Sequence, residues 1–519
     1  MIQQQKSGPI TKKINLGKVK IETGQKPEDI NHLHPQSSYL HNFLEPYESY
    51  ISQLIAQLQD DRGIADLVIN NSTTHLEIRN RILEIVRATS NADFVFLLVN
   101  DSHDHWFIQS QSDLVEGINE DIYIGILRTN VLPKIQGKSV FNPAYHGIYQ
   151  IHEGINNKAK TFVIIPLISS QKPEIMVVCG LQQDSYFLGD AYSRILSTFY
   201  QASQILPFQP ELIEAAILDD LKKDFGFVSA SLYQRRFKLF CERLQRMVIY
   251  FEPFVHLDPE DLFISGWEAL ARNPDSLTAP SDLFKAAELW GSQFTIELDQ
   301  YFLRVATQTY LEARKRSKQA RSDDVKPLSV NVYPDSLMQN AYFETVRQIL
   351  KDQIIQPRNL ILEISEKAEL PTFQDDICLE PPIKCFKKKL LEYVKLKIKF
   401  AIDDFGVGHA SVSRLADLHP SYVKIDREIL HQQHSDIIIR FVHDLVGANN
   451  LNPSHVIVEG VDETIPMSLL HLKEIGVSYI QGYIVGKPSP DIYRLSQEKA
   501  DFLKKLLLEK TISVDHLVC

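Results

Sequence analysis

The strongest constraint on this chain is a repeated one. Short apolar runs each end in a single polar group suited to a metal or a phosphate. Residues 328–330 end in Asn331, residues 360–362 in Glu363 with Glu366 soon after, and residues 398–402 in the adjacent pair Asp403 and Asp404. Residues 422–423 lead to Lys424, residues 456–458 to Glu459, and residues 477–480 to Gln481; upstream, residues 262–264 and Trp267 lead into Glu268. Such runs read as buried strands, and a charge at the end of a buried strand is costly unless it has a partner. Between them, residues 341–353, 386–394, 437–446 and 467–475 have helical spacing of apolar positions. Strand alternating with helix, with the polar residue always at the strand's carboxyl end, predicts an α/β fold, a TIM-type (β/α)8 barrel with its chemistry on that face.

The residue types narrow the chemistry. Asp403 and Asp404 repel each other and favour a divalent cation, and the glycines of the following Phe405–Gly406–Val407–Gly408 free the backbone to turn beside it. Alone, the segment reads equally well as a solvated turn. Beside the other strand ends it becomes one member of a set. Glu268, Asn331, Glu363, Asp403, Asp404 and Glu459 are all oxygen ligands, without Cys or His, which favours Mg²⁺ or Mn²⁺ over zinc. A cluster this acidic suits two ions, which orient a water and stabilise the attacking and leaving oxygens of a phosphodiester. Lys424 among these acids reads as a group that assists water deprotonation, as a stabiliser of phosphoryl charge, or as a plain ion-pair partner. Gln481 reads as an orienting group for a ligand or water.

These motifs together resemble the EAL domain, the bacterial phosphodiesterase that linearises cyclic di-GMP. The resemblance runs from about Met247 to about Pro490, and a domain of residues 246–510 is expected. The series is Glu268–Ala269–Leu270 with Arg272, then LSVNVYP, LILEISE, IDDFGVG, YVKID, VEGVDE and QGYIVGKPSP. It implies a barrel with one reversed strand, a pair of Mg²⁺ or Mn²⁺ ions, and hydrolysis to linear pGpG. It further implies that Glu268, Asn331, Glu363, Asp403 and Glu459 hold metal, with Asp404 at the second ion. Lys424 is then the base or charge stabiliser, Arg272 meets a substrate phosphate, Gln481 supports the water network, and Glu366 braces the loop after the aspartates.

Several positions depart from the family pattern. Glu252 stands before Pro253 where a substrate-facing Gln is usual, which adds negative charge to the substrate site. Val407 and His409 replace a Thr or Ser and an aromatic in the loop that couples dimer contacts to metal binding in the family. Asp462 replaces a Glu, and Ser478 stands where an acid is usual. No expected metal position is lost, so an active enzyme is the first reading. The alternative is a catalytically weak or inactive domain that binds cyclic di-GMP as a receptor. No GGDEF-like cyclase motif is present.

A chain of 519 residues has room for a second domain beside such a barrel. Residues 40–58 and 76–86 have helical spacing, residues 94–99 with 106–111 and 161–168 with 174–181 read as strand pairs, and residues 190–204 read as a closing helix. This order resembles a GAF sensor domain over residues 46–206, with a PAS-like or other α+β sensor as the alternative. Its small-molecule ligand is not named by the sequence. Cys179, mid-strand, reads as a small buried hydrophobe, and His103, His105, His146 and His152 as loop histidines. Residues 1–45 and 511–519 read as tails. Residues 207–245 read as a helical linker, either of the kind that pairs across a homodimer or packed on the barrel's own flank. The basic run 384–389 reads as the solvated face of a barrel helix. The net charge of −11 excludes a broad nucleic-acid-binding surface. Five cysteines without metal or disulfide spacing fit a reducing compartment. The opening residues lack a signal-peptide core and no apolar run reaches the roughly 20 residues of a membrane helix, so no membrane association and a cytoplasmic location are expected.

Overall fold

A computed structural model describes residues 34–60, 75–100, 105–115, 120–135, 147–152, 159–167, 174–182, 190–205, 209–226, 228–260, 262–317, 325–374, 377–379, 381–406, 415, 417–447 and 454–508. The two terminal tails expected from the sequence, residues 1–45 and 511–519, fall wholly or mostly outside these residues, as do Val407, His409, His103 and His146. The chain divides into two compact units, Met1–Ile217 with Phe227–Leu232, and Leu218–Gly226 with Tyr233–Cys519.

The first unit is α+β. Strands β1 (Phe94–Asn100), β2 (Trp106–Gln111), β3 (Gly147–His152), β4 (Ala159–Leu167) and β5 (Glu174–Gln182) form an antiparallel sheet of order β2-β1-β5-β4-β3. Alternation along the strands sorts their side chains. Phe94, Phe96, Leu98, Phe162, Ile164, Ile175, Val177 and Cys179 meet Tyr123, Leu127 and Val131 from the segment 120–135. Burial pushes the Cys179 thiol well above its ordinary range, as expected of an inert core cysteine. Both expected hairpins are present, as are helices His75–Ser90 and Asp190–Ile205. The stretch between the two expected strand pairs contains β3, so His152 closes a strand rather than lying in a loop.

The second unit is a closed eight-stranded barrel. Its strands are β6 (Val248–His256), β7 (Ile264–Arg272), β8 (Leu328–Val332), β9 (Leu360–Ser365), β12 (Lys399–Phe405), β13 (Tyr422–Ile425), β14 (His455–Val458) and β15 (Val477–Gln481). The short hairpin β10 (Phe373–Gln374) and β11 (Ile377–Cys378) lies outside the closed sheet. Only β6 runs against its neighbours β7 and β15; the other pairings are parallel.

Helices cover the barrel with one apolar face each. Asn340–Lys351 buries Tyr342, Thr345, Val346 and Ile349, and Ser435–Gly447 buries Ile439, Val442 and Val446. The basic stretch lies on Pro382–Lys395, which buries Phe386, Leu390 and Tyr393 and leaves Lys384, Lys388 and Lys395 exposed. Inside the barrel, Phe254, Ile361, Ala401, Tyr422 and Ile457 form a packed layer with Tyr479. A Cβ on Gly266 would lie 2.1 Å from the Phe254 ring, so glycine there makes room for this layer. One layer nearer the carboxyl ends, the same alternation presents the candidate site.

Candidate active site

Period-two alternation around the barrel places eight polar side chains above the aromatic layer. In register, Glu252 of β6 stands opposite Glu268 of β7, and Asn331 of β8 beside Glu363 of β9. Asp403 and Lys424 follow Ala401 and Tyr422 by two residues on β12 and β13. Glu459 extends β14 by donating its backbone N–H to Ile425 O at 3.0 Å, and Gln481 ends β15.

Lys424 is the hub. Its side chain is 1% exposed, and Nζ lies 2.7 Å from Glu459 Oε1, 2.9 Å from Glu268 Oε2, 2.9 Å from Glu363 Oε2 and 3.1 Å from Asp403 Oδ1. The last is an ion-pair distance without hydrogen-bond alignment, so Asp403 Oδ1 is buried with no directed donor. Asn331 Nδ2 donates to Glu268 Oε1 at 3.0 Å, and Gln481 Nε2 donates to Glu268 Oε2 at 2.6 Å. Gln481 Oε1 is buried without a partner.

One ammonium does not balance this many carboxylates. Burial, together with its acidic neighbours, pushes Glu363 and Glu459 well above the ordinary carboxylate range and raises Asp403. Burial also works against ionised Glu268, but Lys424 and the hydrogen bonds from Gln481 and Asn331 outweigh it and hold that group low. Burial opposes the charge on Lys424 too, and Asp403, Glu268, Glu363 and Glu459 more than restore it. Glu252 is pushed up to about 7 by burial and then by Glu268.

The residues fit a divalent cation. Glu268, Glu363 and Asp403 each present an oxygen, all within 4.8 Å of one another. The set is all oxygen and over-supplied with negative charge, and Asp403 Oδ1 within it and Gln481 Oε1 nearby are buried without an aligned donor. Asp404 is not in this group. It takes φ 56°, at a break in the β12–β13 register, and its carboxylate turns away to Lys367 Nζ at 3.1 Å. A left-handed non-glycine residue is uncommon and here re-aims the second of two adjacent acids.

Glu366 reaches the start of the next loop. Its N–H donates to Asp403 O at 2.9 Å and its carboxylate accepts from Gly406 N. Arg272 closes β7 and lines a cleft of about 940 Å³ that also touches Phe284, Glu288, Asn331, Tyr333 and Asp404.

Residues 234–488 match the family model described as EAL domain. This part of the chain is an EAL domain. The chain is 31% identical over 166 residues to a probable cyclic di-GMP phosphodiesterase, PdeA, of Escherichia coli strain K12, covering 31% of this chain and 21% of that protein. It is 27% identical over 252 residues to the cyclic di-GMP phosphodiesterase RocR of Pseudomonas aeruginosa, covering 47% of this chain and 57% of that protein. A solved Bacillus subtilis structure, the YkuI protein with an EAL domain in complex with substrate c-di-GMP and calcium, aligns with TM-score 0.42 at 20% identity over 51% of this chain and 62% of that one.

One buried acid of the EAL barrel was not singled out from the sequence. Asp299, on the helix Ser292–Arg316, accepts from Tyr333 N at 2.9 Å and is pushed up to about 8 by burial. Its signal was present: a lone carboxylate on the otherwise apolar face formed by Phe294, Leu298, Phe302 and Leu303.

Proposed function

We propose that this chain is a cyclic di-GMP phosphodiesterase that hydrolyses the cyclic dinucleotide to linear pGpG with two Mg²⁺ or Mn²⁺ ions. The observation that carries this reading is the convergence of Glu268, Glu363, Asp403 and Glu459 on Lys424 at the carboxyl ends of an EAL barrel. The relatives named as cyclic di-GMP phosphodiesterases support it, although the first four are matched over only 21% to 57% of their own lengths.

In this reading Glu268, Asn331, Glu363, Asp403 and Glu459 hold the cations, with Asp404 joining after its side chain leaves Lys367. Bound there, divalent cations activate water and neutralise phosphoryl charge. Lys424, held protonated by its neighbours, contributes a fixed positive charge beside the reacting phosphate. Gln481 and Asn331 hold Glu268 in one orientation through opposite oxygens. Arg272 binds a substrate phosphate at the edge of the cleft, and Glu366 braces the loop after the aspartate pair.

The N-terminal unit serves this activity as a GAF-like sensor of a small molecule over residues 46–206. Residues 207–245 pass its signal on, within a cytoplasmic homodimer. Among the described residues, no helix is long and apolar enough to cross a membrane. The alternative, a cyclic di-GMP receptor without turnover, is favoured by one observation: Glu252 stands opposite Glu268 and adds an acid where an anionic substrate must sit. Chromatography of cyclic di-GMP incubated with the protein and Mg²⁺ or Mn²⁺ decides between them. Linear pGpG is the expected product, and tight binding with no product would establish the receptor.

A further inference from the structure

The opposite, amino-terminal mouth of the barrel carries chemistry that the carboxyl face does not use. Lys399 and His455 open β12 and β14, and His256 closes the reversed strand β6, so all three lie at this end. Their parity on the strands is that of Ala401, Ile457 and Phe254, which line the interior. Lys399 Nζ lies 3.4 Å from Tyr422 Oη and 5.6 Å from its ring centroid. The His455 ring lies 5.9 Å from Tyr422 and 5.6 Å from Tyr479, and the His256 ring 5.3 Å from Tyr479. Two tyrosines therefore tie three basic side chains into one half-buried cluster.

Among the described residues, no carboxylate forms an ion pair with Lys399, His455 or His256. The Asp258 carboxylate accepts from Glu260 N at 3.1 Å and pairs with Lys473 at 3.6 Å, and these contacts, helped by His256, hold it below the usual carboxylate range. In the turn Pro357–Asn359 that leads into β9, the strand next to β12, Asn359 is buried with Nδ2 unpartnered, another donor at the same end. Burial, then Lys399 and His256, holds His455 below its ordinary range, which is the strain an anion would relieve.

We propose that this mouth is a binding site for a small oxyanion of the phosphate class, held by Lys399, His455 and His256 with the Tyr422 and Tyr479 hydroxyls as further donors. The site is separate from the carboxylate cluster and does not depend on the function proposed for it.

The test uses full-length protein in chelator, with inorganic phosphate replacing chloride at constant ionic strength. Thermal unfolding should shift upward and saturate with phosphate, and the shift should be lost in a Lys399→Met, His455→Gln double variant and kept in Arg272→Ala. Phosphate also stabilises proteins by exclusion from their surface, but that effect neither saturates nor responds to these substitutions. Absence of a saturable rise, its survival in the double variant, or its loss in Arg272→Ala alone would overturn the proposal. Histidine-ring NMR of the parent gives an independent reading that needs no variant to fold. Phosphate should raise the apparent pKa of His455, and an unmoved titration would equally overturn it.

Discussion

Glu252 stands directly across the β6–β7 hairpin from Glu268, so two carboxyl groups share one patch of barrel interior. Burial, then Glu268, lifts Glu252 to about 7. A carboxyl raised on folding favours the native state while protonated; this contribution is complete below its ordinary value and is lost as pH rises through about 7. Glu252→Gln should therefore leave stability unchanged at pH 4 and raise it at pH 8, by on the order of 3 kcal/mol. Chelator-treated protein unfolded in denaturant at both pH values checks this. The same substitution removes charge from the substrate site and should tighten binding of cyclic di-GMP.

Lys424 neutralises a cluster that repels itself. Lys424→Met should destabilise the metal-free protein by roughly 3–5 kcal/mol at pH 7, because it strands several buried carboxylates. Added Mg²⁺ or Mn²⁺ should recover more stability in the variant than in the parent, which thermal unfolding with and without chelator reads directly.

How much of this was legible in the sequence follows from where the signal lies. Strand ends such as Glu363, Lys424 and Gln481 were readable because each breaks an apolar run at its last position. The long helix Ser292–Arg316 and strand β6 were not drawn out as elements: β6 has Pro253 and Glu252 inside it, and the helix spreads its buried positions over many turns. The divergent aims of Asp403 and Asp404 were not legible either. Adjacent residues on a regular strand point to opposite faces, and the left-handed backbone at Asp404 is a tertiary outcome. In the N-terminal unit, strand β3 was hidden in a stretch without clear alternation.

Asp299 offers a contrast between charge and hydrogen bonding. Its carboxyl, pushed up to about 8 by burial, still accepts from Tyr333 N. Asp299→Asn keeps an acceptor and should be neutral or stabilising at pH 9, above the native pKa. Asp299→Ala leaves the Tyr333 amide unpaired and should cost about 1–3 kcal/mol. Denaturant midpoints of the two variants separate the effects.

Lys397 is exposed and takes φ 67° after the helix Pro382–Lys395, a conformation natural to glycine. Lys397→Gly should stabilise the protein by about 0.5–1 kcal/mol, the strain relieved exceeding the entropy lost, as measured by thermal unfolding.

Gly266 and Phe254 make a matched pair. Gly266→Ala drives a methyl into the Phe254 ring and should cost roughly 1–3 kcal/mol. In the Phe254→Leu background the added cost should shrink, and a double-mutant cycle measures the coupling.

The proposed metal-dependent hydrolysis rests on the carboxylates gathered around Lys424. Its most direct test is to strip the full-length protein of metal, add cyclic di-GMP, and follow the dinucleotide by chromatography before and after Mn²⁺ is restored. No product should form without metal, linear pGpG should appear once it is added, and Glu268→Ala should give none. Intact cyclic di-GMP bound to the metal-loaded parent, or undiminished hydrolysis by Glu268→Ala, would contradict it.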